Sequence, residues 1–139
     1  MPGLSIPEDY PLAKLNGQEV TQVSIGRHHV RLNFYRQKQE PVLPTPQWDE
    51  GAAIDIEAGF RLQHPDGAVS EAENKNLGIS SGCLTALLGK TILRTDRLPE
   101  NELLIRFSGG EELQLVTDSQ GFESYHLHID GDSVDITKP

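Results

Sequence analysis

Apolar and polar residues alternate with a period of two through most of the chain. The clearest runs are HVRLNFYR at 29–36, AAIDIEAGFRLQH at 52–64, ELLIRF at 102–107 and SYHLHI at 124–129. One apolar and one polar face is typical of an antiparallel sheet that covers a core on one side. The pattern predicts a single α+β domain that is mainly antiparallel β and sandwich-like or strongly curved. Its one short helix is expected near 80–89, where SSGCLTALLG offers a serine cap and a terminal glycine.

The segment HLHIDGDSVDI at 126–136 predicts a β-hairpin. Asp130-Gly131 suits a two-residue type I′ turn, since both central residues of that turn need positive φ. Such a turn pairs Tyr125 with Ile136 and His126 with Asp135. The register is self-consistent, because the apolar residues of both strands then share one face.

A second hairpin is expected at Gly109-Gly110. A plain two-residue loop there would pair apolar with acidic residues. A three-residue turn with a glycine bulge instead pairs Phe107 with Leu113 and Ile105 with Leu115.

The chain resembles itself at an offset of about 60–70 residues. LNGQEVTQV at 15–23 matches LLGKTILRT at 87–95, and VRLNF at 30–34 matches LLIRF at 103–107. Further along, AIDIE parallels ELQLV, and FRLQ parallels YHLH. We infer two similar meanders, about 12–67 and 84–137, that pack face to face or share one curved sheet.

The composition narrows the classes of function. Twelve basic and twenty-one acidic residues among 139 give a net charge of −9, which disfavours nucleic acid and anionic membranes as partners. No stretch approaches the ~20 apolar residues of a membrane span, and the first residues do not resemble a secretory signal. Cys83, the single cysteine, excludes an intrachain disulfide and a cysteine-rich zinc site, and is expected to be a buried apolar residue. These features favour a soluble cytoplasmic protein.

Histidines on the hairpin at 126–136 are the candidates for a metal site. His126 and His128 point to one face of their strand, and Asp135 lies opposite His126 in the predicted register. Zinc would need a further ligand, for which His28-His29 is a candidate. The alternative is a solvated polar face with a weak cross-strand pair.

The C-terminal half also resembles a family of small bacterial proteins. The pattern is Leu-Leu-Gly, a strand ending Phe-x-x-Gly, another strand, and an aromatic-Glu-Ser-aromatic motif, here Phe122-Glu123-Ser124-Tyr125. The similarity covers about residues 84–136. Many proteins of this kind are immunity proteins of polymorphic toxin systems, so the resemblance implies binding and neutralising a cognate toxin in the cytoplasm. It carries over no catalytic residue and no cofactor, and we expect no enzyme.

The acidic residues suggest where a toxin would bind. Acids dominate the sequence from Glu111 onward, and toxins that act on nucleic acids tend to have basic clefts, to which an acidic surface is steered. A tryptophan between a proline-rich stretch and two acids is a further candidate hot spot. The expected contacts are Trp48, Asp49, Glu50, Glu111, Glu112 and Asp118. The alternatives are a small ligand- or metal-binding module using His126 and His128, and a scaffold or subunit.

Overall fold

A computed structural model describes residues 5–38, 47–48, 51–118 and 123–139, and of residues 37–38 and 47–48 only the backbone. Strands and short helical turns alternate along these ranges. The strands are β1 (Glu19–Ile25), β2 (Val30–Tyr35), β3 (Gln37–Lys38), β4 (Gln47–Trp48), β5 (Ala52–Ile56), β6 (Gly59–Gln63), β7 (Val69–Glu73), β8 (Ile92–Arg97), β9 (Leu103–Phe107), β10 (Glu112–Leu115), β11 (Tyr125–Ile129) and β12 (Asp132–Ile136). The helical turns are Leu12–Leu15, Asn74–Asn76, α1 (Leu77–Ser80), Ser81–Leu87 and Pro99–Asn101.

Two five-stranded antiparallel sheets form the body of the molecule. Sheet I has the order β1-β2-β5-β11-β12, sheet II has the order β7-β6-β10-β9-β8, and β3 and β4 form a separate pair. The apolar faces of both sheets contribute to one continuous core. The predicted class, mainly antiparallel β with a short helix, is confirmed.

Each sheet takes strands from both halves of the chain. Sheet I combines β1, β2 and β5 with the last two strands of the second half. Sheet II combines β8, β9 and β10 with β6 and β7 of the first half. The chain therefore crosses between sheets after β5 and again after β10, so neither sheet is a complete meander.

The crossing after β5 is short and closely packed. Only Glu57 and Ala58 separate β5 from β6, and both of their backbone N–H groups donate to the carbonyl oxygen of Ser124 at 2.9 Å. Gly59 follows with φ +145°, and a Cβ there would lie 2.2 Å from the carbonyl oxygen of Ala72. A glycine is thus required both by conformation and by space.

The starts of β1 and β8 are joined by matching hydrogen bonds. Gly17 N donates to Ile92 O at 2.7 Å, and Gly89 N donates to Val20 O at 2.9 Å. Both glycines have positive φ, +86° and +80°. The two similar sequence segments thus form similar local structures beside each other.

The local predictions have different outcomes. The β11–β12 register is confirmed at each predicted pair, including Tyr125 with Ile136. The turn after β9 has three residues, as predicted, and its Gly110 has positive φ. The predicted register is wrong, because the N–H of Phe107 donates to the carbonyl oxygen of Glu111, and Ile105 pairs with Leu113 rather than with Leu115.

The helical segment also differs from the prediction. It runs from 74 to 87 rather than 80–89, and its longest part, Ser81–Leu87, is a 3-10 helix. Cys83 is only partly buried, and its Sγ donates to Ser80 O at 3.4 Å. No helix among the described residues has both the length and the apolarity to cross a bilayer.

Candidate functional site

The outer face of sheet I carries a group of histidines and acids. Because β11 alternates, its residues 125, 127 and 129 are buried, while His126 and His128 point outward. Antiparallel pairing places Asp55 of β5 beside His126 on one side and Asp135 of β12 on the other. Arg31 of β2 extends the same row beyond Asp55. The sheet therefore brings together side chains that are up to about a hundred residues apart in the sequence.

The first group, here the Asp55 cluster, is centred on a carboxylate. Oδ1 of Asp55 lies 3.0 Å from Nε2 of His29, and Oδ2 lies 2.8 Å from Nε2 of His128. Nε of Arg31 is 3.5 Å from Oδ1. Burial raises the pKa of Asp55, but hydrogen bonds from both histidines and the charge of Arg31 outweigh it and lower the pKa below 3.8.

His128 has both ring nitrogens engaged. While Nε2 faces Asp55, Nδ1 is 2.7 Å from the hydroxyl oxygen of Ser133. Both contacts have ordinary hydrogen-bond lengths, so a neutral ring donates through Nε2 and accepts at Nδ1. This arrangement leaves no lone pair directed at a metal.

The second group, here the His126 cluster, has a different geometry. Nδ1 of His126 lies 2.5 Å from Oδ1 of Asp135. Its Nε2 faces two further carboxylates, with Oε2 of Glu57 at 3.5 Å and Oε2 of Glu123 at 3.7 Å. One candidate ligand atom from each of His126, Glu57 and Glu123 lies within 4.8 Å of the others.

Carboxylates dominate the electrostatics of His126. Burial of the ring lowers its pKa, but the neighbouring Asp135 and Glu57 outweigh this effect and raise the pKa above 6.5. The side chain of His126 is 13% exposed, whereas those of Glu57, Glu123 and Asp135 are 37%, 53% and 48% exposed. The ring is thus an inner member of the cluster, and the acids around it reach solvent.

Acidic side chains, some exposed and some half-buried, gather at this end of sheet I. Glu57, Glu123 and Asp135 belong to the His126 cluster, and the backbone of Asp118 is nearby in the chain, where its N–H donates to Ser124 Oγ at 2.7 Å. We call these four residues the acidic rim. They come from three parts of the chain, namely the β5–β6 crossing with Glu57, the β10–β11 connection with Asp118 and Glu123, and β12 with Asp135.

Two predicted contact residues lie elsewhere. Glu111 is not at the surface: it is 4% exposed, its Oε2 is 3.6 Å from Nζ of Lys90, and its Oε1 has no hydrogen-bond partner among the described residues. Glu112 lies on sheet II, where its Oε1 is 3.8 Å from Nε of Arg106. The prediction of a direct contact through Glu111 therefore does not fit its burial, because the three-residue turn directs this side chain inward.

The remaining predicted contacts cannot be placed in the rim. Trp48 lies in β4, whose backbone alone is described. Asp49 and Glu50 lie outside the described residues. Their contact with a partner stays a prediction.

The aromatic-Glu-Ser-aromatic motif has a structural role in its last two residues. Ser124 is fully buried, and its hydroxyl oxygen accepts the N–H of Asp118. Tyr125 is also buried, and its hydroxyl donates to Asn101 O at 2.6 Å. Burial raises the pKa of Tyr125 well above its usual range of about 10. The motif thus fixes the second crossing between the sheets and holds Glu123 at the rim.

Sequence reasoning missed Asp55 and Glu57 as partners of the histidines. The sequence suggests His126, His128 and Asp135 as candidate metal ligands, but the ring of His128 is hydrogen-bonded to Asp55 and Ser133 instead. The alternation of 52–64 shows that Asp55 and Glu57 face outward. It does not show that β5 pairs with β11, which is the contact that decides their role.

Comparison with known protein families, curated proteins and solved structures gives no significant match. The resemblance to bacterial immunity proteins therefore stays a prediction.

Proposed function

We propose that this chain is a cytoplasmic immunity protein, which binds a cognate bacterial toxin and blocks its active site without chemistry of its own. The main support is the acidic rim, where the carboxylates of Glu57, Glu123 and Asp135 surround His126 in a protein with a net charge of −9. The resemblance of residues 84–136 to immunity proteins supports the same function.

The rim suits a basic partner for an electrostatic reason. Carboxylates that reach solvent from one surface raise the rate of encounter with a cationic cleft, and they disfavour anionic competitors. The side chains of Glu123 and Asp135 are about half exposed, so they can approach a partner's cations without rearrangement of the sheet. We therefore place the docking surface at the rim. Glu57, Glu123 and Asp135 replace Glu111 and Glu112 as the expected contacts, and Asp118 is kept.

The experiment is co-expression of the chain with a toxin domain, sought first in the reading frames adjacent to its gene. We expect the wild-type chain to restore bacterial growth and to form a one-to-one complex. The double variant Glu57→Lys/Glu123→Lys should slow association by at least tenfold at low salt and should weaken its salt dependence.

A matched control is Glu71→Lys. Glu71 is 65% exposed, pairs with Arg61 and lies in β7 at the edge of sheet II, so it tests a charge reversal away from the rim. Its association rate should stay within about twofold of wild type. Failure of the wild-type chain to restore growth contradicts the proposed function, and an equal effect of Glu71→Lys contradicts the assignment of the rim.

A further inference from the structure

We propose that Nε2 of His126 and the carboxylates of Glu57 and Glu123 form a binding site for a divalent metal ion of the zinc class, with Asp135 as a positioning residue. The proposal is independent of a toxin, since it concerns the isolated chain. It assigns to these residues a metal that the proposed function does not require.

The spacing of the three groups is the first argument. Nε2 lies 3.5 Å and 3.7 Å from the nearest carboxylate oxygens of Glu57 and Glu123. These distances are too long for strong hydrogen bonds. Ligands about 2.0–2.1 Å from a tetrahedral zinc ion are roughly 3.3–3.4 Å apart, which is close to the observed spacing.

The orientation of the imidazole is the second argument. With Asp135 at 2.5 Å from Nδ1, the ring proton of the neutral form is held on Nδ1. The lone pair of Nε2 is then directed toward Glu57 and Glu123. A carboxylate bound to the far nitrogen is a common feature of histidines that bind zinc, because it fixes both the tautomer and the direction of the ring.

His128 provides an internal contrast. It lies two residues away on the same strand face, yet its Nε2 is 2.8 Å from Asp55 and its Nδ1 is 2.7 Å from Ser133. Those are completed hydrogen bonds. Of these two outward histidines of β11, only His126 directs a ring nitrogen toward carboxylates that stand at ligand spacing.

The donor set indicates the class of metal. One imidazole nitrogen and two carboxylate oxygens favour zinc or a neighbouring transition metal over magnesium and calcium, which prefer oxygen ligands alone. Two carboxylates also balance the charge of a divalent ion. Since Glu57 and Glu123 are partly exposed, a fourth ligand can come from water or from a side chain of a partner.

The test is calorimetric titration of the chelator-treated full chain with zinc chloride at pH 7.5, with manganese, magnesium and calcium chlorides as separate arms. We expect one zinc site of micromolar affinity or tighter, and at least tenfold weaker binding of magnesium and calcium. His126→Ala and Glu123→Gln should each weaken zinc binding at least tenfold. Glu123→Gln keeps the size of an exposed side chain, so its fold is expected to be preserved.

Two further variants test whether zinc binds at this site and whether Asp135 positions the ring of His126. His64→Ala removes a histidine that directly follows β6 of sheet II and lies 2.8 Å from Ser70 Oγ, and it should leave zinc binding unchanged. Asp135→Asn should weaken binding and also change its pH profile, because the amide no longer fixes the proton on Nδ1. Wild-type affinity should rise with pH as His126 loses its proton, and the number of protons released can be read from buffers of different ionisation enthalpy.

Three results would overturn the proposal. They are a flat zinc titration of the wild-type chain, zinc binding that survives both His126→Ala and Glu123→Gln, and equal affinity for magnesium. A flat titration would mean that Glu57 and Glu123 serve only as ion-pair partners of a protonated ring. It would leave the toxin-binding proposal unaffected, because that is measured by association with the toxin.

Discussion

Two histidines of one strand face differ in the groups that surround them. His128 shares the carboxylate of Asp55 with His29 and accepts a hydrogen bond from the hydroxyl of Ser133, so its contacts are complete. His126 is surrounded by three carboxylates. The i, i+2 spacing in the sequence predicts that the rings share a face, but the identity of each partner depends on which strand pairs with β11.

Replacement of Asp55 by asparagine tests the first cluster. The amide oxygen of Asp55→Asn can still accept from one imidazole, but its NH2 group faces the other, so one half-buried hydrogen bond is lost. We expect the free energy of unfolding at pH 7 to fall by about 1–3 kcal/mol. Urea denaturation measures it, and the exposed Asp9→Asn should change it by less than about 0.5 kcal/mol. Equal effects of the two variants would contradict the role of Asp55.

The pH dependence of stability tests the second cluster. Because the folded state raises the pKa of His126 above 6.5, protonation of this ring stabilises the fold fully below pH 6.5. That contribution is lost as the pH rises through the folded-state pKa. The groups facing the ring are Asp135 of β12, Asp55 of β5, Glu57 and Glu123.

We therefore expect urea denaturation in the presence of a chelator to show decreasing stability above pH 6.5. His126→Gln should make this decrease smaller, whereas His64→Gln should leave it as in the wild-type chain. A decrease that is unchanged in His126→Gln would mean that another group produces it.

At the scale of the elements, the turns determine how well the register of paired strands can be predicted. The β11–β12 register follows from Asp130-Gly131, because a two-residue turn leaves a single pairing that keeps the apolar residues on one face. The register after β9 was predicted wrongly since Glu111 was taken as a loop residue. Its carboxylate instead lies against Lys90, a contact between residues that are distant in the sequence. Local alternation does not contain that information.

Two glycines with positive φ distinguish a packed turn from an open one. At Gly59 an added Cβ would clash with the Ala72 carbonyl oxygen at 2.2 Å, whereas at Gly67, with φ +91°, nothing lies within 4 Å among the described residues. We expect Gly67→Ala to cost about 1 kcal/mol from backbone strain alone. Gly59→Ala should cost about 3 kcal/mol or more, because overpacking is added to strain.

Thermal unfolding of the two glycine variants by circular dichroism measures the difference. Gly59→Ala should have the lower melting temperature by several degrees. Equal melting temperatures would mean that the crossing between β5 and β6 relaxes to accommodate a side chain. The acidic rim would then be less firmly placed than the structure implies, because Glu57 lies in this crossing.

At the scale of the molecule, the two halves of the chain are interleaved. The internal similarity indicates which segments correspond: β1 with β8, β2 with β9, β5 with β10 and β6 with β11. It does not indicate that β6 and β7 join the sheet of β8, β9 and β10, or that β11 and β12 join the sheet of β1, β2 and β5. Alternating strands fit either arrangement equally well, so the allocation depends on the close crossing at Gly59 and on the paired bonds of Gly17 and Gly89.

Interleaving makes each half dependent on the other for folding. A fragment of residues 1–78 would contain three strands of sheet I and two of sheet II, so neither five-stranded sheet would be complete. The break after residue 78 falls within α1, between Gly78 and Ile79, the latter of which is 90% exposed. Each fragment alone would leave the apolar faces of unpaired strands in water, which opposes folding by roughly 25 cal/mol per Å² of apolar surface.

We expect fragments 1–78 and 79–139 to be largely unfolded when separate, and to recover native-like circular dichroism when mixed in equal amounts. The intact chain should unfold in one cooperative transition, because each sheet loses its central pairing when either half unfolds. A cooperative thermal transition of 1–78 alone would contradict this dependence. It would show that β6 and β7 can pack with β1, β2 and β5 in the absence of β10, as an independent meander would.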